Sequence, residues 1–365
     1  MTAQPHLSLT ALPPNGEQAP LLLDVLDRQA QAFLSAWQSG HQDVAVLLRS
    51  HGLAAGSEQQ VLGTASPEQA RTLVAREHGF RDWDDVLKNS SQRIDRCFEA
   101  AADAVVAGAL DALQALLNST PNLARHRSAY PHHSTLLHHC VANGCEHTRQ
   151  WASPPNAAAI SRALLSAGAL PDATCNVYGG GSRTTSLCLL VSSSVPAAAG
   201  VQAPLVAELC RGGANVNGLD DDGLPLWTAI TFGYTAAVDQ LVASGARIDN
   251  LVFAAVAGDV ERVNAYLAMT CDARAAARSS RRVGIHGPGL APHHHLEYAL
   301  IYASRHGRRE VVELLLSNAP NLSVTEPVWN SNALGMARHS RESEVRDEDK
   351  QAIIALLTEA PRGAS

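Results

Sequence analysis

Hydrophobic positions between residues 205 and 249 follow a helical spacing that stops and then starts again. Leu226, Ala229 and Ile230 stand at i, i+3 and i+4, which places them on one face of a helix. Gly233 follows, and glycine readily takes the left-handed conformation that ends many helices. The same apolar spacing resumes behind it. The pattern therefore predicts two short helices joined by a tight turn.

A short phrase also occurs twice in this segment. Gly213 and Gly245 each precede an alanine and lie about 32 residues apart, close to the period of roughly 33 that marks ankyrin repeats. Between them, residues 222–229 read DGLPLWTA, which resembles the D-G-x-T-P-L-H-x-A phrase of that family. Leu224 stands in place of the threonine. Trp227 replaces the histidine that normally ties adjacent turns together.

The resemblance implies an all-α fold, an ankyrin-repeat solenoid of about six helix-pair units. Similar patterns place the units near 94–121, 134–169, 175–214, 215–246, 250–290 and from 295 onward. A more charged helix pair at 333–338 and 350–357 is predicted to cap the end, because a terminal layer is exposed. In the sixth unit we expect Leu314 to be buried between the helices.

The first ninety residues do not show the repeat. We expect a flexible leader at 1–20, a small N-terminal helical module at 21–93 and an ankyrin repeat domain at 94–360. The leader has neither the basic nor the apolar region of a signal peptide. Residues 75–83, AREHGFRDW, are similar to an A-R-E-x-G-F-x-S-W segment that precedes the repeats in many bacterial ankyrin proteins. This similarity implies a bacterial source.

Helix boundaries in the module are marked by capping residues. Ser66 and Pro67 provide an N-cap and a first-turn proline, with glutamine three residues after the serine. Asp82 can cap the next helix, whose expected apolar face includes Val86 and Leu87. Two earlier helices are expected within 21–50, separated by a Ser-Gly pair.

Two of the predicted repeats are longer than the family requires. Segment 144–156 separates the helices of the second repeat, and segments 176–186 and 192–202 lengthen the third. Repeats carry insertions as loops on one face, often the binding face. The stretch 130–260 resembles a group of bacterial ankyrin proteins that share these loops, a resemblance that implies no particular activity.

Polar and aromatic residues in or beside these insertions are the candidate binding residues: Arg149, Gln150, Asn156, Asn176, Tyr178, Arg183 and Trp227. We predict that Arg149, Asn176, Tyr178 and Trp227 converge on one side of the solenoid, where arginine and aromatic side chains would serve as hot spots. In the alternative, the polar groups bond one another so that long loops pack without unpaired atoms. No nucleophile–base–orienter set is recognisable, so no catalytic residue is assigned.

Charge and hydropathy limit the possible partners. The formal net charge of −7 argues against a nucleic-acid binder, which needs clustered basic residues. No apolar run approaches the roughly 20 residues of a membrane span. We therefore expect neither a nucleic-acid nor a membrane partner.

Cysteine and histidine residues provide little evidence for chemistry. The seven cysteines are odd in number and lack a C-x-x-C pair, which is typical of a reduced cytoplasmic protein. Cys145 lies near His147, so a nucleophile remains an alternative to a buried thiol. Sixteen histidines form clusters without a recognised ligand spacing, and no metal or cofactor is expected. His138 occupies the position of the family's structural histidine.

Taken together, these patterns favour a non-enzymatic cytoplasmic protein that recognises a protein partner through the concave face and the insertion loops. A small-molecule-binding sensor or enzyme, with the loops of the second and third repeats as its pocket, is the alternative. A purely structural scaffold is a third possibility that the residues do not separate from the first.

Overall fold

The computed structural model describes residues 19–55, 57, 60, 64–141, 145–146, 148–177, 183–269, 282–283, 287–288 and 294–360. Nearly all of the expected leader, and Tyr178, lie outside the described residues. The chain divides into two compact units, Met1–Leu189 and Leu190–Ser365, here called the N-terminal unit and the C-terminal unit.

The N-terminal unit begins with helices α1 (Leu22–Gln38), α2 (Asp43–Ser50), α3 (Pro67–Glu77) and α4 (Trp83–Asn89). The predicted caps are confirmed, since the Ser66 side chain accepts the N–H of Gln69 and Asp82 accepts that of Asp85. Their apolar residues share one core with Ile94 and Tyr130. The expectation for Leu87 is wrong. Its side chain is 58% exposed, because Val86 alone of the two points inward.

Two helix pairs and a β-ribbon follow in this unit. The pairs are α5 (Arg96–Val106) with α6 (Leu110–Ser119), and α7 (Leu136–Val141) with α8 (Ala157–Ser166). The first insertion of the third repeat forms β1 (Thr174–Asn176) and β2 (Arg183–Thr185), which pair antiparallel. The short helix α9 (Ser186–Leu190) comes next.

Helix pairs also build the C-terminal unit. They are α10 (Ser194–Ala198) with α11 (Gln202–Arg211), α12 (Leu224–Phe232) with α13 (Thr235–Ala243), α14 (Leu251–Ala257) with α15 (Val260–Ala268), α16 (His295–Arg305) with α17 (Arg309–Leu316), and α18 (Ala333–Arg338) with α19 (Asp347–Glu359). A second small ribbon joins β3 (Arg282–Val283) to β4 (Gly287–Pro288). The first helices of successive pairs pack together, α14 on α16 and α16 on α18.

The helix end predicted at Gly233 is confirmed in detail. This glycine has a φ of +76°, and its N–H bonds the carbonyls of Ala229 and Ile230. The burial predicted for Leu314 is wrong, since Leu314 is only partly buried, whereas Leu315 is fully buried beside Val311. Because residues 314–316 are all leucine, the sequence alone does not show which of the three faces the core.

Contacts in the C-terminal unit extend beyond neighbouring repeats. His306 bonds the carbonyl of Ile230, and the indole N–H of Trp329 donates to Thr231. Arg341 donates to the carbonyl of Phe232. The fourth repeat therefore touches the sixth repeat and the terminal pair directly, although an ideal repeat contacts only its neighbours. The predicted all-α, helix-pair fold class is confirmed, with this departure and the two short ribbons.

Candidate functional site

The inserted segment of the second repeat covers a buried ion cluster in the N-terminal unit. The side chain of Arg149 is only 1% exposed. Its Nη2 lies 2.6 Å from Glu99 Oε2, its Nη1 3.0 Å from Glu146 Oε2 and its Nε 3.3 Å from Asp103 Oδ1. Glu99 and Asp103 stand one turn apart on α5. One guanidinium therefore meets three carboxylates, two of them buried.

Glu146 connects this guanidinium to a histidine pair. Its Oε1 lies 3.1 Å from His132 Nε2 and 3.6 Å from His78 Nδ1. The backbone N–H of Ser134 donates to His132 Nδ1 at 3.2 Å, so the proton of the neutral ring is on Nε2 and faces the carboxylate. The ring of His78 stacks on Tyr130 at 4.0 Å. The end of α3, the 130–134 turn and the insertion thus meet at Glu146.

Electrostatics assign the charges within the cluster. Burial opposes ionisation of Glu146, but the charge of Arg149 and the hydrogen bond from His132 hold its pKa well below the usual range. Burial raises the pKa of Glu99 in spite of its contact with Arg149. Burial also lowers the pKa of His139 to about 3. Of the two buried carboxylates that contact Arg149, Glu146 is therefore the more easily ionised, and His139 beside it is neutral.

The ligand atoms of His78, His132 and Glu146 lie within 4.8 Å of one another, a distance that a metal centre would accept. The protonation pattern fits a metal poorly, however. A metal ligand must offer a lone pair, whereas His132 Nε2 carries its proton. Arg149, 3.0 Å from Glu146, also places a positive charge where a cation would be held. This donor set therefore suits a hydrogen-bonded carboxylate.

The candidate amides make internal contacts. Gln150 donates to the carbonyls of His138 and His139 at 3.2 and 3.1 Å. Asn156 donates to the carbonyl of Gly108 at 2.8 Å, and Asn176 to that of Pro131 at 3.2 Å. These are the contacts that self-packing predicts. A recognition role for the same residues stays a prediction.

Of the other candidates, Trp227 lies in the C-terminal unit and is 1% exposed. Its ring packs 4.8 Å from Phe253 and 6.1 Å from Tyr302, between centroids. Of Arg183 only the β2 backbone is described. Asn176 contacts the 130–134 turn directly at the carbonyl of Pro131, and Arg149 reaches the same turn through Glu146 and His132. The predicted convergence of these residues with Tyr178 and Trp227 stays untested.

His138 has the structural role that its position predicts. Its Nδ1 accepts the N–H of Thr135 at 3.1 Å, and its Nε2 donates to the carbonyl of Thr184 at 3.3 Å. The histidine therefore connects the start of α7 to the ribbon of the next repeat.

Sequence reasoning did not identify the acidic and imidazole members of the cluster. Glu99 carried a usable signal, because it is a carboxylate directly after the buried Phe98 on an apolar helix. Glu146 also stands three residues before Arg149 within the insertion. Nothing in the sequence around His78 or His132 indicates that they belong to this cluster, because their contact with Glu146 depends on how distant segments pack.

Exposed apolar side chains occur on loops that follow helix pairs. Leu170, in the N-terminal unit, is 52% exposed, and in the C-terminal unit Leu219 and Trp329 are 51% and 49% exposed. Trp329 is fixed in place by its bond to Thr231 at 3.0 Å and by Arg305, whose guanidinium carbon lies 5.7 Å from the ring centroid. One large apolar surface is thus held rigidly at the protein surface.

Comparisons with known proteins support the repeat at one place. The family model of the ankyrin repeat matches residues 295–325, which span α16, α17 and the start of the following loop. The start predicted for the sixth repeat at residue 295 is thereby confirmed. Ankyrin repeat domains generally mediate protein–protein interaction. No curated protein matches the chain.

Solved structures with similarity to the chain include two ankyrin domains. The human ASB11 ankyrin repeat domain is 21% identical, covering 73% of this chain and 99% of that one, with a TM-score of 0.37. The ankyrin repeat domain of Bcl-3, a member of the IkappaB family, is 20% identical, covering 71% and 97%, with a TM-score of 0.34. Among the described residues, no helix combines the length and apolarity needed to cross a membrane.

Proposed function

We propose that this chain is a protein-recognition module and that Trp329 is a principal contact residue of its C-terminal unit. The observation that carries the proposal is a half-exposed tryptophan whose ring is immobilised by Thr231, Arg305 and the edge of Phe232. Tryptophan is enriched in binding hot spots, and a ring that is already fixed loses little entropy on binding.

In the N-terminal unit, the insertions are the proposed recognition loops. Arg149, Gln150, Asn156 and Asn176 support this assignment by anchoring the loops to other segments of the unit through ion pairs and hydrogen bonds. Tyr178 and Arg183, between β1 and β2 or on β2, are the proposed contact residues. A loop held by buried bonds can present a surface without first becoming ordered. Trp227, being buried, would act by supporting the packing of α12.

The proposal is tested by affinity capture with the full chain and three variants. Trp329→Ala removes the contact, Trp329→Phe keeps a flat apolar ring, and Leu87→Ala changes an equally exposed residue away from the repeats. Proteins retained from an extract of the native source are identified and quantified by mass spectrometry.

At least one retained protein should fall about tenfold or more with Trp329→Ala, which corresponds to about 1.4 kcal/mol. The same protein should be largely retained by Trp329→Phe and fully retained by Leu87→Ala. Circular dichroism must show that Trp329→Ala is folded. Equal capture by the folded Trp329→Ala protein would refute the assignment of Trp329.

A further inference from the structure

Two cysteine thiols meet beneath the insertion of the second repeat. Cys145 lies in the inserted segment, and Cys175 is the middle residue of β1. Their Sγ atoms are 3.7 Å apart although the residues are separated by 30 positions. Both are buried, at 5% and 2% exposure. A disulfide requires about 2.05 Å between sulfurs, so the two atoms need to approach by less than 2 Å.

His138 directs a hydrogen-bond donor to this place. Because its Nδ1 accepts the N–H of Thr135, its Nε2 carries the proton. That N–H faces the carbonyl of Thr184, and Thr184 is the cross-strand partner of Cys175 in the ribbon. The same imidazole also lies close enough to lower the pKa of the Cys175 thiol. A polar N–H group with a fixed tautomer therefore stands beside the ribbon pair that contains Cys175.

The pKa values of the two thiols are shifted in opposite directions. The hydrogen bond from Cys145, together with the nearby His138, lowers the pKa of Cys175 to about 5 against the effect of burial. The same shared bond, together with burial, raises the pKa of Cys145 well above its ordinary value. The opposite directions of the two shifts favour Cys175 as the thiolate of the pair and Cys145 as the thiol. A depressed pKa is the property that makes a cysteine reactive towards oxidants.

We propose that Cys145 and Cys175 form a redox pair that a hydroperoxide converts into an intramolecular disulfide. In the first step the Cys175 thiolate attacks hydrogen peroxide, an S–O bond forms and the O–O bond breaks. The released hydroxide takes up from solvent the proton that Cys175 had lost on ionisation, and becomes water. In the second step the Cys145 sulfur attacks the sulfenic sulfur of Cys175, and the S–O bond breaks. The hydroxyl leaves as water with the Cys145 proton. Two thiols and one peroxide thus give one disulfide and two waters.

Oxidation would join the insertion of the second repeat covalently to the ribbon of the third. Both segments belong to the loops proposed for recognition, but the redox chemistry does not depend on that proposal. Cys140 offers a contrast within the same unit, because its Sγ donates to the carbonyl of Ala157 and burial raises its pKa to about 12. Cys140 should remain a thiol under the same conditions.

The experiment treats the full chain with a small molar excess of hydrogen peroxide, then blocks the remaining thiols with N-ethylmaleimide in denaturant. Intact mass and peptide mapping without reduction follow. The expected product has lost two hydrogen atoms, contains a peptide linked through Cys145 and Cys175, and returns to the dithiol with dithiothreitol.

Three variants separate the steps. Cys145→Ser should stop at a sulfenic acid on Cys175 that dimedone captures, and Cys175→Ser should give neither product. Cys140→Ser should form the disulfide as the unmodified chain does. Mapping of the unmodified chain needs no variant to fold, and alkylation of both Cys145 and Cys175 after peroxide treatment would overturn the proposal. A disulfide that includes Cys140 would overturn it equally.

Discussion

The two units hold buried carboxylates in different ways. In the N-terminal unit, Glu146 is held by the guanidinium of Arg149 and by the imidazole of His132, which comes from a distant segment. In the C-terminal unit, Glu326 is fully buried and accepts mainly local donors, the backbone N–H groups of Val328 and Trp329, both at 2.8 Å, with the Tyr302 hydroxyl of α16 as an additional donor at 3.2 Å. The N–H donors of Val328 and Trp329 are in position as soon as the loop itself has formed. The charge of Glu146 is compensated only after several segments of the chain have folded together.

This difference indicates where each unit is vulnerable. Removing one partner of a buried ion pair leaves an uncompensated charge in a medium of low polarity, which is strongly destabilising. A loop carboxylate with backbone donors keeps its partners when side chains change. Substitutions in the two units therefore test the comparison directly.

The largest effect is expected for Arg149→Met. This variant keeps the length and the apolar stem of the side chain but leaves Glu146 without its cation. We expect the free energy of unfolding to fall by about 3–5 kcal/mol in urea denaturation. Arg262→Met is the matched control, since Arg262 pairs with Asp259 on the surface and should cost no more than about 1 kcal/mol. Similar losses for the two variants would mean that the buried ion cluster contributes no more to the free energy of unfolding than a surface ion pair does.

Truncation in the sixth repeat should come next in size. Leu315→Ala creates a cavity at a fully buried position, and a loss of about 2–5 kcal/mol is expected. Leu314→Ala changes an adjacent, only partly buried leucine and should cost clearly less. Equilibrium unfolding of both variants measures how much the C-terminal unit depends on its buried apolar side chains. A larger loss for Leu314→Ala than for Leu315→Ala would support the expectation from sequence that Leu314 is the buried leucine.

A smaller loss is expected where a helix turns. Gly233→Ala would place a Cβ 2.5 Å from Arg305 Nε at a φ of +76°. The strain and the displacement of Arg305 should cost about 2–3 kcal/mol. Gly245→Ala has a comparable φ of +96° but nothing within 4 Å, so only the strain of about 1 kcal/mol remains. Equal melting temperatures of the two variants would show that Arg305 moves away freely.

The smallest effect, counted per pH unit, is expected for the dependence of the free energy of unfolding on pH. Burial lowers the pKa of His306 to about 3, while Nδ1 lies 2.9 Å from Thr235 Oγ1 and Nε2 donates to Ile230. Between about pH 6.5 and pH 3 the unfolded chain binds this proton and the folded one does not. His306 alone should therefore lower the free energy of unfolding by about 1.4 kcal/mol for each pH unit between about 6.5 and 3.

His306→Gln should remove one proton from that slope, measured by urea titrations at several pH values. The contribution of Glu146 has the opposite origin but is also lost in acid. Its folded pKa is depressed, so its stabilisation is complete above the unfolded value near 4.3 and declines only at lower pH. An unchanged slope in His306→Gln between pH 6 and 5 would contradict the assignment.

Local features of the fold could be predicted from sequence because their causes are local. Ser66 and Asp82 cap helices through backbone groups three residues away. Gly233 ends α12 by a conformation that its own missing side chain permits. Such signals do not depend on which other segment is nearby.

The buried cluster could not be predicted in the same way. Arg149 and Glu99 are 50 positions apart, and the N–H of Thr148 donates to Glu77 across 71 positions. Polar residues in an insertion suggest exposure, whereas here the insertion folds inward over α5. Only the packing of the repeats decides between those outcomes, and the spacing of polar residues carries no information about it.

The bonds that return to the end of α12 have a consequence for how the C-terminal unit comes apart. An open array of repeats can lose its last member while the others persist, since each layer rests only on the one before it. Here His306, Trp329 and Arg341 attach to residues 230–232 across 76, 98 and 109 positions. Local unfolding of the terminal helices would at the same time break their contacts with the fourth repeat. The unit should therefore unfold in a single cooperative step, and it should fold more slowly than a stack of purely local contacts.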